Sequence, residues 1–332
     1  MNIAFFELEK WEEEYMKERL KKHKLLFFNK PFGESFVDKV KGCEVIVCFI
    51  HSEMQGKLLE KLPKLKYITT MSTGFDHIDL DFCKEKRIMA SNVPYYGENT
   101  VAEQTFALLL ALSRKIYDAI ERTKRDDFSI AGLMGFDLKG KTLGVIGPGH
   151  IGQHVIKIAK GFEMNVVSFS NHIDKKLSKE CGFRWAKSFN DLLKESDIIT
   201  IHVPLTDDTR HLINMNNIKY IKKGAYLINT SRGEIIETKA LMYALAKGTL
   251  AGAGLDVLEG ESNIREERQL LGNGKERDWE IFLENHLILK EHNVIVTPHS
   301  AFFTKEALQR ILDTTIGNIN SFVKGKVENS VY

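Results

Sequence analysis

Short apolar runs alternate with amphipathic stretches along the whole chain. Runs at Ile3–Phe6, Leu25–Phe28, Val45–Ile50, Tyr67–Thr70 and Ile88–Ala90 read as strands, and Met54–Leu62 between two of them carries a helical pattern. Such alternation predicts βαβ units and a mostly parallel sheet, because a parallel strand needs a crossover segment to return to the same edge. Near Asn99 the register changes. The segment Asn99–Arg122 is heavily apolar (Val101, Phe106, Leu109, Leu110, Leu112) with no interior Gly or Pro, and predicts one long helix. A second alternating series follows, with strands expected at Leu143–Ile146, Val166–Phe169, Ile198–His202, Tyr226–Asn229, Leu255–Leu258 and Val294–Val296. The polar stretch Glu259–Asn293 predicts a long loop, and about Thr304–Lys324 a final helix. The expected fold class is α/β, two parallel-sheet domains joined by the long helix.

The 332 residues suffice for two domains with a core each. With 43% apolar and 28% charged residues and a formal net charge of +2, nothing calls for a nucleic acid or an anionic membrane as partner. The basic run Lys17–Lys24 is offset by Glu12, Glu13 and Glu14 and reads as a solvated helix face. Acidic residues early in the chain argue against a signal peptide, and the longest apolar run, Phe106–Leu112, is too short to span a bilayer. Cys43, Cys48, Cys83 and Cys181 lack paired metal or redox spacing, so no metal site is expected, and free thiols point to the cytoplasm.

One segment carries a specific chemistry. Residues 143–153 place Gly147, Gly149 and Gly152 in a G-x-G-x-x-G turn directly after an apolar strand and directly before a helical stretch. The first glycine permits the tight turn and the second lets backbone approach a pyrophosphate. The third lets helix and strand pack closely, and the helix N-terminus faces the anion. A dinucleotide cofactor is expected. The next strand usually ends in an acid that takes the ribose hydroxyls, yet here it ends in Ser170 and Asn171, with His172, Lys175 and Lys176 close by. NAD and NADP both stay open here, because no carboxylate is in place to repel a 2′-phosphate.

Three further motifs fall at strand ends, where open α/β sheets bind ligands. They are Asn229-Thr-Ser-Arg232-Gly, Gly254-Leu-Asp256-Val-Leu-Glu-Gly-Glu261 and Thr297-Pro-His299-Ser-Ala301. Arginine can hold a carboxylate in a fork and polarise a keto oxygen, and histidine can pass a proton to that oxygen. A glutamate beside the histidine would orient it and favour its protonated form. Singly, each residue is more ordinarily a surface charge or polar filler. Together at strand ends of a cofactor domain, an arginine, a carboxylate and a histidine are the parts a 2-keto acid reductase needs.

With those residues in place, the chain resembles the D-isomer-specific 2-hydroxyacid dehydrogenase family over nearly its whole length, and most closely its D-lactate branch. Beyond the glycine turn the resemblance includes Ser72–Asp79, Val93–Tyr96, Val101–Glu103, His202–Pro204, Asn229–Gly233, Leu255–Val257 and Thr297–Thr304. It implies a Rossmann NAD-binding domain, residues 99–299, inserted in a flavodoxin-like substrate domain made of 1–98 and 300–332, with the cleft at their junction. It implies that Arg232 binds substrate, Glu261 orients the histidine and His299 is the acid/base. Thr73 and Gly74 would take the substrate carboxylate through backbone N–H groups, with Tyr96 and Phe302 beside the substrate. Cofactor contacts would come from Val101, Gly147, Gly149, His150, Ile151, Gly152, Ser170, Asn171, His202, Val203, Pro204, Thr209, Thr230, Ser231, Asp256 and Ala301. A homodimer paired through Asn99–Arg122 is also implied. The expected reaction is reversible reduction of pyruvate to D-lactate. Ser170 and the Phe302–Phe303 pair keep open an NADPH-preferring glyoxylate, hydroxypyruvate or aryl-pyruvate reductase. From another class, the resemblance leaves open a dinucleotide-sensing corepressor-like interaction protein, since such relatives keep the catalytic residues. The lack of partner-binding extensions in the chain weighs against the latter.

Overall fold

The computed structural model describes residues 1–261 and 276–332. The chain divides into two compact units, Met1–Tyr96 with Phe303–Tyr332, and Gly97–Phe302. The first unit carries a parallel sheet of β1 (Asn2–Phe6), β2 (Lys24–Phe28), β3 (Val45–Cys48), β4 (Tyr67–Thr70) and β5 (Met89–Ser91), in the order β2-β1-β3-β4-β5. That is the flavodoxin-like order of a doubly wound sheet. Phe6, Ile46 and Ile68 pack into a core with Phe32, Met54 and Leu59, while their neighbours Phe5, Val45 and Tyr67 are equally buried. Both faces are covered, so these strands read as unbroken apolar runs. The terminal helix Lys305–Val323 is capped by Thr304, whose hydroxyl accepts the Ala307 N–H, and Phe322 stacks on Tyr67. Beyond it the chain reverses at Asn329, and Ser330 pairs antiparallel with Ser91, covering the open β5 edge.

The second unit holds β6 (Thr142–Ile146), β7 (Asn165–Phe169), β8 (Arg184–Trp185), β9 (Ile198–Ile201), β10 (Ala225–Asn229), β11 (Leu250–Leu255) and β12 (Val294–Val296). All pair in parallel, in the order β12-β11-β10-β9-β6-β7-β8. Counting from β6, this is the Rossmann order with one strand added at the edge. The order reverses between β6 and β9, which places the ligand crevice at the carboxyl ends of those two strands. Adjacent residues serve opposite cores: Val145, Ile198 and Ile228 pack with Phe106 and Leu109, whereas Ile146, Ile199 and Leu227 pack with Leu192, Ile235 and Ala240.

Several expectations change. The sixth strand of this unit is Leu250–Leu255, not Leu255–Leu258, because its Gly252 and Gly254 are packing devices and not turn signals. A Cβ at Gly252 would lie 2.6 Å from the Asn293 carbonyl, and one at Gly254 would lie 3.0 Å from Leu108 and Ile228. The expected single helix is two, Glu98–Ser113 and Ile116–Thr123, broken where Lys115 takes a left-handed φ of 48°. Part of the expected loop is the helix Glu276–Ile288, and residues 262–275 of it lie outside the described residues. The unit boundaries fall at 97 and 302 and not at 99 and 299, since Ser300 and Ala301 are hydrogen-bonded to Asp256 of the second unit. Among the described residues no helix is long and apolar enough to cross a membrane, and no cluster of three potential metal ligands occurs.

Candidate active site

The glycine turn sits at the sheet's reversal point. Gly147 follows β6 with φ +87°, and a Cβ there would lie 2.6 Å from Val203 and 2.7 Å from the His202 carbonyl, at the end of β9. A Cβ at Gly152 would meet the Gly147 carbonyl at 2.3 Å, so helix and turn could not close on any other residue. Gly149 faces open space and begins the helix His150–Gly161 with no side-chain cap, so an anion can approach the positive end of the helix. These features fit a dinucleotide pyrophosphate. His202 adds a second one: its Nε2 bonds Thr200 Oγ1 at 2.8 Å, but its Nδ1 is buried without a partner among the described residues. Burial drives the His202 pKa down to about 3, so the ring is neutral. Pro204 and Thr209 belong to one turn, closed by Thr209 Oγ1 donating to the Pro204 carbonyl at 2.6 Å. Ser170 and Asn171 stand just past β7, where the Ser170 hydroxyl accepts the His172 N–H at 3.3 Å. Val101 lies in the first turn of helix Glu98–Ser113, while His150 is exposed and Ile151 half-buried at the start of theirs.

The histidine is held by its backbone. His299 has a left-handed φ of 53°, a conformation that costs a non-glycine residue about 1 kcal/mol or more. The fully buried Asp256 offsets that cost. Its carboxylate accepts the Thr297 hydroxyl at 2.5 Å, the Ser300 N–H at 3.0 Å and the Ala301 N–H at 2.8 Å, and its carbonyl accepts the His299 N–H at 2.8 Å. Burial pushes the Asp256 pKa up, while the bonds from Thr297, Ala301 and Ser300 oppose it. The carboxylate expected beside the cofactor is thus occupied in shaping the histidine turn. So pinned, the His299 ring donates from Nδ1 to Glu261 Oε1 at 2.6 Å. The opposite nitrogen, Nε2, is left to exchange a proton.

The arginine turn is braced in the same manner. Asn229, fully buried at the end of β10, donates to the Arg232 carbonyl at 2.8 Å and accepts the Ser231 N–H at 3.0 Å and hydroxyl at 2.8 Å. Next to it, Thr230 shares a 3.0 Å hydroxyl contact with Thr105. Gly233 lets this turn lie against the segment leading to Glu261, since a Cβ would come within 2.0 Å of the Leu258 carbonyl carbon. That segment is anchored by Glu259, which takes Thr238 N–H and hydroxyl on one oxygen and His211 on the other at 2.7 Å. Burial raises the Glu259 pKa, but the bonds from Thr238 and His211 outweigh it and leave the carboxyl below its ordinary value. The bracing residues Asn229 and Gly233 stood in the motifs. The partners of Glu259, at 211 and 238, are too distant in sequence to have been found there.

In the first unit, the loop after β4 forms a nest of N–H groups. Val93 N–H donates to the Ser72 carbonyl at 3.0 Å, Asn92 Nδ2 to the Thr73 carbonyl at 2.7 Å, and Ser72 Oγ to the Gly74 carbonyl at 2.6 Å. In a planar trans peptide the N–H points opposite to the C=O. Holding these carbonyls therefore turns the N–H groups of Thr73, Gly74 and Phe75 the other way, and they meet no acceptor among the described residues. Successive free N–H groups make an anion-binding concavity. Tyr96 is half-buried in this unit, with its carbonyl held by Arg310 at 2.7 Å, and the half-buried Phe302 ends the second unit.

A family model described as D-isomer specific 2-hydroxyacid dehydrogenase, NAD binding domain, matches residues 106–301. D-lactate dehydrogenase of Escherichia coli is 33% identical over 333 residues, covering 98% of each chain. An aromatic 2-oxoacid reductase of Clostridium sporogenes is 37% identical over 303 residues, covering 90% of this chain and 88% of its own. Among solved structures, D-lactate dehydrogenase from Aquifex aeolicus, complexed with NAD and lactic acid, matches with a TM-score of 0.90 and 36% identity over 99% of both chains.

Proposed function

The chain belongs to the D-isomer specific 2-hydroxyacid dehydrogenase family, oxidoreductases that act on the CH–OH group of a hydroxy acid with NAD(H), and we propose that its own pair is D-lactate and pyruvate. The observation that carries the reading is the 2.6 Å bond from His299 to Glu261, made by a histidine in a left-handed turn shaped by Asp256. A nicotinamide dinucleotide whose pyrophosphate is held at Gly147–Gly152 would supply or accept the hydride. In the reduction, His299 Nε2 gives its proton to the keto oxygen and Glu261 balances the imidazolium until then; in the oxidation the ring takes the proton back. Arg232 pairs with the substrate's negative charge and polarises the keto group, with its backbone fixed by Asn229. The N–H groups of Thr73 and Gly74 receive the substrate carboxylate, and Tyr96 and Phe302 line the substrate's side chain.

Ser170 favours a second reading, an NADPH-dependent reductase of a larger keto acid, since no carboxylate at that position repels a 2′-phosphate. The test is the initial rate of reduction of pyruvate, hydroxypyruvate and phenylpyruvate with NADH and with NADPH. Fast pyruvate turnover with NADH is expected. Preference for NADPH and a larger acid would replace the lactate assignment with the second reading, and no turnover with any would sink both. His299→Asn is expected to keep cofactor affinity and lose most turnover; equal loss of both would make the histidine structural. We also assign homodimer formation to the face of Ile116–Thr123 and the segment after it, where Tyr117, Phe128, Ile130 and Met134 are exposed. Free cysteines, three of them buried, fit a reducing cytoplasm.

A further inference from the structure

The nest at Thr73–Phe75 depends on Asn92, and Asn92 is itself held from the far end of the chain. Asn318, fully buried on the terminal helix, donates to the Asn92 carbonyl at 2.9 Å and to Thr69 Oγ1 at 3.3 Å. Its own side-chain oxygen accepts Asn329 Nδ2 at 2.8 Å. The Asn329 carbonyl in turn accepts the Asn92 N–H at 3.1 Å. Asn92, Asn318 and Asn329 therefore close a ring of hydrogen bonds, and the Asn92 amide projects from that ring to the Thr73 carbonyl. Asn329 enters the ring with φ 51°, a left-handed conformation that asparagine tolerates better than most residues.

We propose that Asn318 and Asn329 are positioning residues for the substrate carboxylate: through Asn92 the C-terminal segment sets the direction of the Gly74 N–H. An asparagine ring that only stitched the tail to β5 would have no reason to end on the carbonyl of a loop whose N–H groups face outward. The peptide plane makes the link geometric. If the Asn92 amide swings away, the Thr73–Gly74 peptide is free to rotate, and the N–H leaves the direction in which a carboxylate receives it. The inference rests on reading this loop as the carboxylate receiver.

Asn329→Gly tests it, because glycine keeps the left-handed backbone and removes only the side-chain amide. The KM for the 2-keto acid and the Ki of oxamate, a carboxylate-bearing pyruvate analogue, are expected to rise together by about fivefold, the order one net hydrogen bond supplies. The kcat and the KM for NADH should stay within about twofold of the wild-type values. Unchanged KM and Ki, or a parallel loss in kcat and cofactor KM, would overturn the proposal. The backbone amide resonances of Thr73, Gly74 and Phe75 read the relay without turnover. They should shift in unliganded Asn329→Gly, and unmoved resonances would overturn it. If the wild type reduced no 2-keto acid, the functional reading would fail, and these resonances alone would decide the relay.

Discussion

Asp256→Asn separates the shaping of the histidine turn from general stability. The carboxylate accepts three hydrogen bonds, two on Oδ1 from Thr297 and Ser300 and one on Oδ2 from Ala301. Asparagine keeps one oxygen. Placed at Oδ1 it saves two bonds and sets its NH2 against the Ala301 N–H, a buried donor facing a donor. Leaving such a group unsatisfied costs about 1–3 kcal/mol. Against this, the substitution removes a fully buried charge whose pKa burial has raised, so part of the loss is recovered at neutral pH. The two contributions nearly offset in global stability, and the melting temperature should fall by only a few degrees, at roughly 2–4 °C per kcal/mol for a unit of this size.

Catalysis has no such offset. The turn holds His299 at φ 53°, which costs about 1 kcal/mol or more and persists only while Asp256 fixes both flanks. Once the Ala301 side opens, the residue relaxes towards negative φ and its ring leaves the 2.6 Å bond with Glu261. A displacement of about 1 Å at a reacting group costs on the order of a hundredfold in rate. The expected result is a kcat lowered about 100-fold, with the cofactor dissociation constant, read from nicotinamide fluorescence, changed far less. Thr297→Val removes one of the three bonds and should fall between, at about tenfold. A variant Asp256→Asn with kcat within about threefold of wild type and a lowered melting temperature would refute the argument, since the bonds would then support the fold without shaping the histidine.

The remaining expectations follow from single features. Gly233→Ala places a methyl within about 2 Å of the Leu258 backbone and must push the Arg232 turn off its support, so the keto acid KM should rise at least about tenfold; steady-state kinetics showing no change would mean the turn has room to shift harmlessly. His202 has a folded pKa of about 3 against an ordinary 6.5, so the unfolded chain binds the extra proton between those values and stability is lost as pH falls through that window, at up to about 1.4 kcal/mol per pH unit. Urea unfolding of wild type and His202→Gln from pH 7.5 to 5 should show the variant losing less, and identical slopes would assign the acid sensitivity elsewhere. Ser170→Asp should raise the ratio of NADH to NADPH efficiency by about tenfold or more, through a ribose hydrogen bond gained and a 2′-phosphate repelled; an unmoved ratio would place Ser170 away from the ribose.

What the sequence made legible is what local chemistry decides. The glycine turn was readable because its three spacings, the strand before it and the helix after it all lie within about twenty residues, and each glycine has one steric reason to be there. Most strands were readable because both faces of each sheet are covered, which makes them continuous apolar runs. β11 was misplaced because its identity depends on its neighbours. Leu-Ala-Gly-Ala-Gly-Leu is not a continuous apolar run, and its two glycines are needed because Tyr226, Asn293, Leu108 and Ile228 stand close enough to forbid a Cβ. The two-residue β8 has no pattern to find.

The same division runs through the site. The chemical identities of Arg232, Glu261 and His299 were visible, but the forces that place them were not. Lys115 breaks the long helix with neither Gly nor Pro to announce it, and His299 occupies a left-handed conformation with no local signal. Asp256 was legible as a carboxylate near the reaction and illegible as a bracket, because its three donors belong to a turn more than forty residues away. A motif specifies which groups a reaction needs. Their positions to within an ångström depend on buried acceptors from other strands: Asp256 for the histidine turn, Asn229 for the arginine turn, and Glu259 for the segment that leads to Glu261. In the proposed mechanism these three residues touch no substrate, yet each fixes a backbone turn on which a reacting group depends. Substitutions at them should accordingly cost more in kcat than in stability, the reverse of what a purely structural buried polar group would show.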